Sequence, residues 1–132
     1  MEKRSNCPIN FSLENWWDTW SLLIVRDLMF KKECTYWDFL KSEEKIATNI
    51  LVARLKKLEE NEIIIKTEFP NNKVKSLYRL TQKGIDLVPT IVEMMLWAEK
   101  YHTITDEKSK VILEKIKKDK ELFIKEAMES LK

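Results

Sequence analysis

The side chains best suited to chemistry lie in the middle of the chain, where short polar groups and cations share one segment. Within residues 47–60 these are Thr48, Asn49, Arg54, Lys56 and Lys57. Hydroxyl, amide and guanidinium groups pair with the edges of nucleic-acid bases, and cations hold phosphates. The same residues also suit the solvated face of an ordinary surface helix. Which interpretation holds depends on the elements that position the segment.

The charge of the chain is concentrated in the same region. Residues 45–83 hold nine basic and four acidic side chains, a balance of +5, within a total of +2. The net charge is −2 for residues 1–44, −2 for residues 84–102 and +1 for residues 103–132. A positive segment flanked by acidic ones indicates an anionic partner or a solubilising surface.

Few residues are available for catalysis or metal binding. Two cysteines, Cys7 and Cys34, and the single His102 cannot supply the four Cys or His ligands of a zinc site. One histidine also leaves no nucleophile–base–orienter set, and one glycine excludes glycine-rich phosphate loops. We therefore predict no enzyme, no metal and no cofactor. No apolar run approaches about 18 residues and the N-terminus is polar, so we expect a cytoplasmic protein without membrane contact.

The elements in front of the basic segment are predicted from apolar spacing. Residues 7–18 carry apolar side chains three and four apart, which predicts a short helix with Ser12 as a candidate cap. Residues 19–30 are apolar almost all round, which predicts a buried central helix. Trp16 and Trp17 point about 100° apart on a helix, so at most one lies in the core. The other suits a subunit interface, where aromatic residues are favoured.

The order of the following elements decides the fold. The pattern predicts a short helix capped by Thr35, a polar turn, a second helix and a β-hairpin, over residues 35–40, 41–46, 47–60 and 63–80. A short helix, a tight turn and a second helix form a helix-turn-helix, and a hairpin directly after it is a wing. We predict a mainly α (α+β) fold, a winged helix-turn-helix with dimerisation helices at both ends.

This order gives the positive segment a geometric role. A helix fits the DNA major groove, about 12 Å wide, and its first residues enter it. Thr48 and Asn49 are therefore predicted to meet base edges or nearby phosphates, and Arg54 a guanine or a phosphate. The predicted contacts of this helix are Thr48, Asn49, Val52, Arg54, Lys56 and Lys57. The wing is predicted to meet the backbone or the minor groove through Lys66, Asn72, Lys73, Lys75 and Arg79.

The C-terminal third is predicted to hold two helices. Thr81 caps a long helix that Pro89 kinks, and an amphipathic helix covers 106–131. That last helix suits a longer dimer interface, a cover for the core or a coiled coil. The aromatic residues suit a ligand pocket less well than a core or a subunit interface. The predicted interface residues are Phe11, Leu13, Trp16, Trp17, Met94, Met95 and Trp97.

Four segments resemble HxlR-type winged helix-turn-helix transcriptional regulators of the MarR-like superfamily. They are CPI at 7–9, WSLLIVRDLMF at 20–30, IATNILVARLKKLE at 46–59 and YRLTQKG at 78–84. The resemblance covers about 7–102 and leaves 103–132 as a helical extension. It implies a bacterial, cytoplasmic homodimer that binds double-stranded DNA at a near-palindromic operator. The chain departs from the family in two places, at the glycine-free loop Lys31-Lys32-Glu33-Cys34 and in its long C-terminus.

The resemblance also draws attention to Cys7, because some regulators of this type are redox sensors with a cysteine at this N-terminal position. Lys3 and Arg4 are near in sequence and would favour the thiolate. Cys34 is a candidate second thiol, and a disulfide across the dimer would need Cys34 or the other Cys7. The alternative is an inert thiol packed beside Pro8.

These observations predict a homodimeric, sequence-specific DNA-binding regulator that responds to oxidants or electrophiles through Cys7. The alternative is a winged-helix module for protein–protein contact that does not bind DNA. The small-molecule effector, the operator and the target genes are not specified by the sequence.

Overall fold

The computed structural model describes residues 5–69 and 72–132, without the side chains of residues 69–75. The described chain forms two compact units, one that ends at Gly84 and one that begins at Ile85. In order, the elements are α1 Pro8–Trp16, α2 Thr19–Lys31, β1 Cys34–Thr35, α3 Tyr36–Leu40, α4 Thr48–Glu60, β2 Ile64–Phe69, β3 Asn72–Leu80, α5 Gln82–Ile85, α6 Val88–Tyr101, α7 Glu107–Lys118 and α8 Lys120–Ser130.

The first helix begins earlier than the sequence predicts. Pro8 starts α1, because a proline in the first turn has no amide that needs a partner and its φ suits a helix. Ser12, predicted as the cap, lies inside the helix, where its hydroxyl donates to the Pro8 carbonyl at 3.2 Å. That prediction was wrong by one turn, because the proline is the stronger start signal.

The central helix α2 is buried, as predicted. Val25 and Leu28 are 1% and 0% exposed. The helix is capped by Asp18, whose carboxylate accepts from the Ser21 amide at 2.8 Å. Phe39 of α3 and Leu51 of α4 are also buried, at 1% and 0% exposed, so the core of this unit lies among these helices.

The predicted hairpin is confirmed, and it belongs to a three-stranded antiparallel sheet in the order β1-β3-β2. Ile64 pairs with Leu80 and Lys66 with Tyr78. The two-residue strand β1 pairs Cys34 with Tyr78, and no sequence pattern predicted it. The sheet thereby ties the wing to the segment that leads into α3.

Thr81 and Gly84 fix the end of the wing. The Thr81 hydroxyl accepts from the Gly84 amide at 3.2 Å, so Thr81 is a cap as predicted, and it donates to the Glu62 carbonyl at 2.5 Å. The Thr81 amide donates to the Ile63 carbonyl at 3.0 Å. A Cβ on Gly84 would lie 2.3 Å from the Ile63 carbonyl oxygen, so a side chain is excluded there. The long helix predicted after Thr81 is wrong, because α5 ends at Ile85. Pro89 lies in the first turn of α6 and starts that helix instead of kinking one.

The second unit consists of α6, α7 and α8. Leu113, Ile116 and Leu131 are buried. Ion pairs join Lys117 to Glu99 at 3.0 Å and Lys120 to Glu93 at 2.6 Å, so both C-terminal helices are tied to α6.

The single helix predicted over 106–131 is wrong, because the chain is extended at Asp119 (φ −159°). The Asp119 carboxylate accepts from the Leu122 amide and caps α8. The two compact units divide after Gly84. The domain boundary predicted at 102/103 marks the end of the family resemblance, and it stays a prediction. Among the described residues, no helix is both long and apolar enough to cross a membrane.

Candidate nucleic-acid interface

The helix-turn-helix begins with a capping box at α3. The Thr35 hydroxyl accepts from the Asp38 amide at 3.2 Å, and the Asp38 carboxylate accepts from the Thr35 amide at 2.8 Å. The bond from the Thr35 amide lowers the pKa of Asp38 below its ordinary value. The reciprocal bonds fix where α3 begins, next to the sheet.

The turn between α3 and α4 is held by α2. Arg26 donates to Glu44 at 2.7 and 2.9 Å and to Asp27 at 2.9 and 3.1 Å. The Ser42 hydroxyl donates to Asp27, which is 8% exposed, at 2.7 Å. Within the turn Lys45 has a left-handed backbone (φ 52°). The buried helix therefore sets the path of the chain into α4. The sequence signal for this network was a charged pair in an otherwise apolar helix, and its role was missed.

Helix α4 separates a buried face from an exposed one. Leu51, Leu55 and Leu58 are at most 3% exposed and anchor the helix in the core. The opposite face is exposed and contains four of the predicted contacts together with one small residue: Thr48, Asn49, Val52, Ala53 and Lys56. Val52, an aliphatic side chain on this face, is 55% exposed. The result is an outward face with a hydroxyl, an amide, an apolar patch and a cation.

Two other predicted contacts, Arg54 and Lys57, lie on the flank of α4 and are half-buried. The Arg54 Nε donates to the Asp18 carboxylate at 3.1 Å. Partial burial raises the pKa of Asp18, but the hydrogen bonds from Ser21 and the charge of Arg54 outweigh it, so this pKa is lowered overall. The structure therefore does not place Arg54 on the outward face. Asp18 was missed as its partner, because the two are far apart in sequence.

The wing presents its predicted cations on two faces. Lys66 of β2 pairs with Tyr78, and Arg79 of β3 pairs with Ile65, so the two side chains point to opposite sides of the hairpin. Lys66 is exposed and forms an ion pair with Glu68 at 3.4 Å. Arg79 is half-buried. The side chains of Asn72, Lys73 and Lys75, and the turn residues 70 and 71, lie outside the described residues.

The two cysteines occupy different environments. Cys7 is exposed at the N-cap position of α1, beside an open cleft of about 400 Å³ that Pro8 and Phe11 also line. Cys34 is 0% exposed in β1, and burial raises the pKa of its thiol to about 12. A thiol of that kind is neither accessible nor ionised at neutral pH. Lys3 and Arg4 lie outside the described residues.

The residues predicted for a subunit interface are partly exposed in both units. In α1, Phe11 is 50% exposed, and Trp17, directly after the helix, is 52% exposed. In α6, Met94 and Trp97 are 40% and 67% exposed, and the Trp97 ring lies 5.2 Å from the Tyr101 ring at an interplanar angle of 47°. The other predicted interface residues are half-buried, namely Leu13, Trp16 and Met95.

The architecture and the exposed face of α4 agree with a comparison with known families. The model of the HxlR-like helix-turn-helix family matches residues 17–106. The chain belongs to this family. Its fold is the winged helix of HxlR-like regulators, as predicted.

Individual relatives support the assignment. HTH-type transcriptional regulator YodB of Bacillus subtilis (strain 168) is 34% identical over 82 residues, which cover 62% of this chain and 72% of YodB. The reduced form of YodB has a TM-score of 0.59 at 30% identity, over 77% of this chain and 100% of that one; a diamide-treated form has also been solved. The structure of PA1607 has a TM-score of 0.68 at 37% identity, over 80% of this chain and 72% of that one. YodB is a transcriptional regulator, so the prediction of a regulator and not an enzyme is confirmed.

Proposed function

We propose that this HxlR-like protein is a homodimeric, sequence-specific DNA-binding regulator of transcription. The outward face of α4 enters the major groove, and the β2–β3 wing lies on the backbone or in the minor groove. The observation that carries the proposal is the division of α4 into a leucine face anchored in the core and an exposed face with a hydroxyl, an amide, an aliphatic side chain and a cation.

The exposed side chains suit separate tasks in the groove. Thr48 and Asn49 lie in the first turn, the part of a recognition helix that reaches base edges, and an amide pairs well with adenine. Val52 offers an apolar contact for a thymine methyl group. Lys56 and the flanking Lys57 are placed for phosphates, which position the helix without reading sequence.

The wing supplies further phosphate contacts. Lys66 and Arg79 point to opposite sides of the hairpin, so one of them faces DNA when the other faces the protein or solvent. Asn72, Lys73 and Lys75 stay predicted contacts near the tip. With about six phosphates neutralised, log affinity falls with log salt at a slope of about −5.

A dimer of this chain would bind an operator that consists of two half-sites, one for each copy. The exposed apolar side chains of α1 and α6 favour a second copy as their partner, because patches of this kind mark protein interfaces. Paired α4 helices then enter successive major grooves about 34 Å apart, which gives a near-palindromic operator. A protein with this partner works in the bacterial cytoplasm, where the DNA is.

Cys7 is the candidate sensor of oxidants or electrophiles, because its thiol is the exposed one. The existence of a diamide-treated structure of YodB favours this role. In a dimer, two Cys7 thiols would lose two protons and two electrons to diamide, which becomes a hydrazine, and form one disulfide. The buried Cys34 is a poor second thiol, so we propose Cys7 without it.

The test is selection of genomic fragments by the purified protein, with and without diamide, followed by a salt-titrated gel shift. We expect a recovered sequence with two related half-sites and binding that weakens steeply with salt. For Cys7→Ser, diamide should leave the affinity unchanged. Binding that is absent or independent of salt would contradict the DNA role and favour a module for protein–protein contact.

A further inference from the structure

The flank of α4 carries a row of half-buried residues distinct from its outward face. Ile50, Arg54, Lys57 and Asn61 follow one another at intervals of three and four, so they lie on one side of the helix. This side faces the N-terminal segment of the same unit, as the polar contacts of two of its members show.

Those two contacts join α4 to the end of α1 and the start of α2. The Arg54 Nε donates to the Asp18 Oδ1 at 3.1 Å, and the Asn61 Nδ2 donates to the Asn15 carbonyl at 3.1 Å. Arg54 and Asn61 are seven residues apart, about 10 Å along the helix axis. Two attachments at that separation resist both a rotation of α4 about its axis and a pivot of its first turn.

Two hydrogen bonds from Ser21 hold the Asp18 carboxylate in place. Its Oδ1 accepts from the Ser21 amide at 2.8 Å, and its Oδ2 accepts from the Ser21 hydroxyl at 2.7 Å. The carboxylate that holds Arg54 is therefore the N-cap of α2, the central buried helix. Arg54 could leave it only by abandoning a fixed, complementary acceptor.

We propose that Asp18 and Arg54 are positioning residues for DNA recognition and that Arg54 does not itself contact DNA. Their ion pair, with the bond from Asn61 to Asn15, fixes the orientation in which the outward face of α4 meets the groove. The inference rests on the proposed DNA binding and replaces the expectation that Arg54 reads a base or holds a phosphate.

The two roles for Arg54 predict effects of opposite sign at Asp18. If Arg54 only positions α4, loss of either partner disturbs the same contact and weakens binding to the specific sequence. If Arg54 instead moves to a phosphate, Asp18 competes with DNA, and its removal strengthens binding. The salt dependence separates the roles as well, because each lost phosphate contact reduces the steepness of the slope by about 0.9.

The experiment measures the affinity of four variants for two DNA duplexes, one selected from a random pool by the wild-type protein and one of scrambled sequence. The variants are Asp18→Ser, Arg54→Met, their double combination, and Lys56→Ala. Serine retains the capping function without the charge, and methionine retains the apolar stem of arginine. Circular dichroism and thermal unfolding establish that each variant is folded, and Lys56→Ala serves as the matched phosphate-contact control.

We expect each single change to lower affinity for the selected duplex about five- to tenfold, as for residues that share one contact. The double variant should be no weaker than the weaker single one, the salt slope should stay at the wild-type value, and affinity for the scrambled duplex should not change. Lys56→Ala should flatten the slope on both duplexes. Tighter binding by Asp18→Ser, unchanged binding by both single variants, or a flatter slope for Arg54→Met would overturn the inference. A wild-type protein that does not distinguish the duplexes would overturn the proposed function instead, and this inference with it.

Discussion

Lys32 occupies a backbone conformation that favours glycine. It follows α2 with φ 68° and ψ −46°, and the Glu33 amide donates to the Lys31 carbonyl at 2.8 Å across it. This is a γ-turn with a positive φ, which is strained for a residue with a side chain. The loop at residues 31–34 lacks the glycine that many HxlR-like proteins have there. A glycine at position 32 would adopt this conformation without strain.

We expect Lys32→Gly to raise the free energy of unfolding by about 0.5–1 kcal/mol, because relief of strain exceeds the entropic cost of glycine. Urea denaturation measures the change. Lys31→Gly is the matched control and should destabilise by about the same amount, since Lys31 is still helical. Equal effects of the two substitutions would contradict the strain at Lys32.

The two cysteines should differ in reactivity. At neutral pH, iodoacetamide should modify Cys7 within minutes in the folded protein and leave Cys34 intact, because burial raises the pKa of Cys34 to about 12 and excludes the reagent. Mass spectrometry of the peptides reads out both sites. In urea both should react. Modification of Cys34 in the folded protein at the rate of Cys7 would contradict the placement of β1 in the core.

At the scale of elements, local sequence signals predicted the helices, caps and turns that depend on residues close together in the chain. The leucines of α4 recur at intervals of three and four, and α4 begins one residue from its predicted start. Thr35 caps α3, and strand-like residues on both sides of a turn form the hairpin. These features depend on neighbours in sequence, so the sequence reveals them.

Breaks between helices were harder to predict for a physical reason. At Asp119 the apolar spacing continues from α7 into α8, and the break shows only as an aspartate that caps the second helix. An aspartate inside a helical pattern and one at an N-cap look alike in sequence. The strand β1 has two residues and no pattern of its own, since its pairing with β3 alone defines it.

Three carboxylates around the helix-turn-helix make the stability of the fold depend on pH. The Arg26 hydrogen bond lowers the pKa of Glu44, and the pKa values of Asp18 and Asp38 are also lowered. The unfolded chain, with ordinary values near 3.8 and 4.5, therefore takes up protons first as the pH falls. The stabilisation is complete above about pH 5 and is lost as the pH falls through the lowered values.

We expect the melting temperature to decrease below about pH 4.5, and Glu44→Gln to show a smaller decrease between pH 6 and pH 3 than the wild-type protein. Thermal unfolding at fixed ionic strength measures both. Glu43→Gln is the neighbouring control, because it removes the same charge from an exposed position and leaves the hydrogen bonds between Arg26 and Glu44 in place. Identical acid dependence in Glu44→Gln and the wild-type protein would contradict the role of the Arg26 network.

At the scale of the whole molecule, the sequence located the positive region. It did not show which of the cations there are exposed and which form ion pairs within the protein. Thr48, Asn49, Val52 and Lys56 do share an exposed face, as helical spacing predicted. The pairing of Arg54 with Asp18 was not predictable, because it joins segments 36 residues apart and neither shows a distinguishing pattern. Contacts of this range depend on the tertiary fold.

Dimerisation should depend on the exposed apolar face of α6. We expect Trp97→Glu to yield a monomer in sedimentation-velocity experiments and to weaken binding to a two-half-site duplex by at least about tenfold, because a buried charge disfavours the interface. Leu122→Glu on α8 is the control, since Leu122 is also an exposed apolar side chain. It should remain a dimer. A dimeric Trp97→Glu protein would contradict this assignment of the interface.

The central claim, that the outward face of α4 reads DNA sequence, is tested most directly by fluorescence anisotropy with the selected and scrambled duplexes. The wild-type protein should favour the selected duplex by at least about 10³-fold. Replacement of Thr48 and Asn49 by alanine should reduce that preference about 10- to 100-fold and leave scrambled-duplex affinity nearly unchanged, because base contacts carry the specificity. Lys115→Ala on α7 should behave as the wild-type protein. Full sequence preference in the Thr48→Ala, Asn49→Ala variant would contradict the claim.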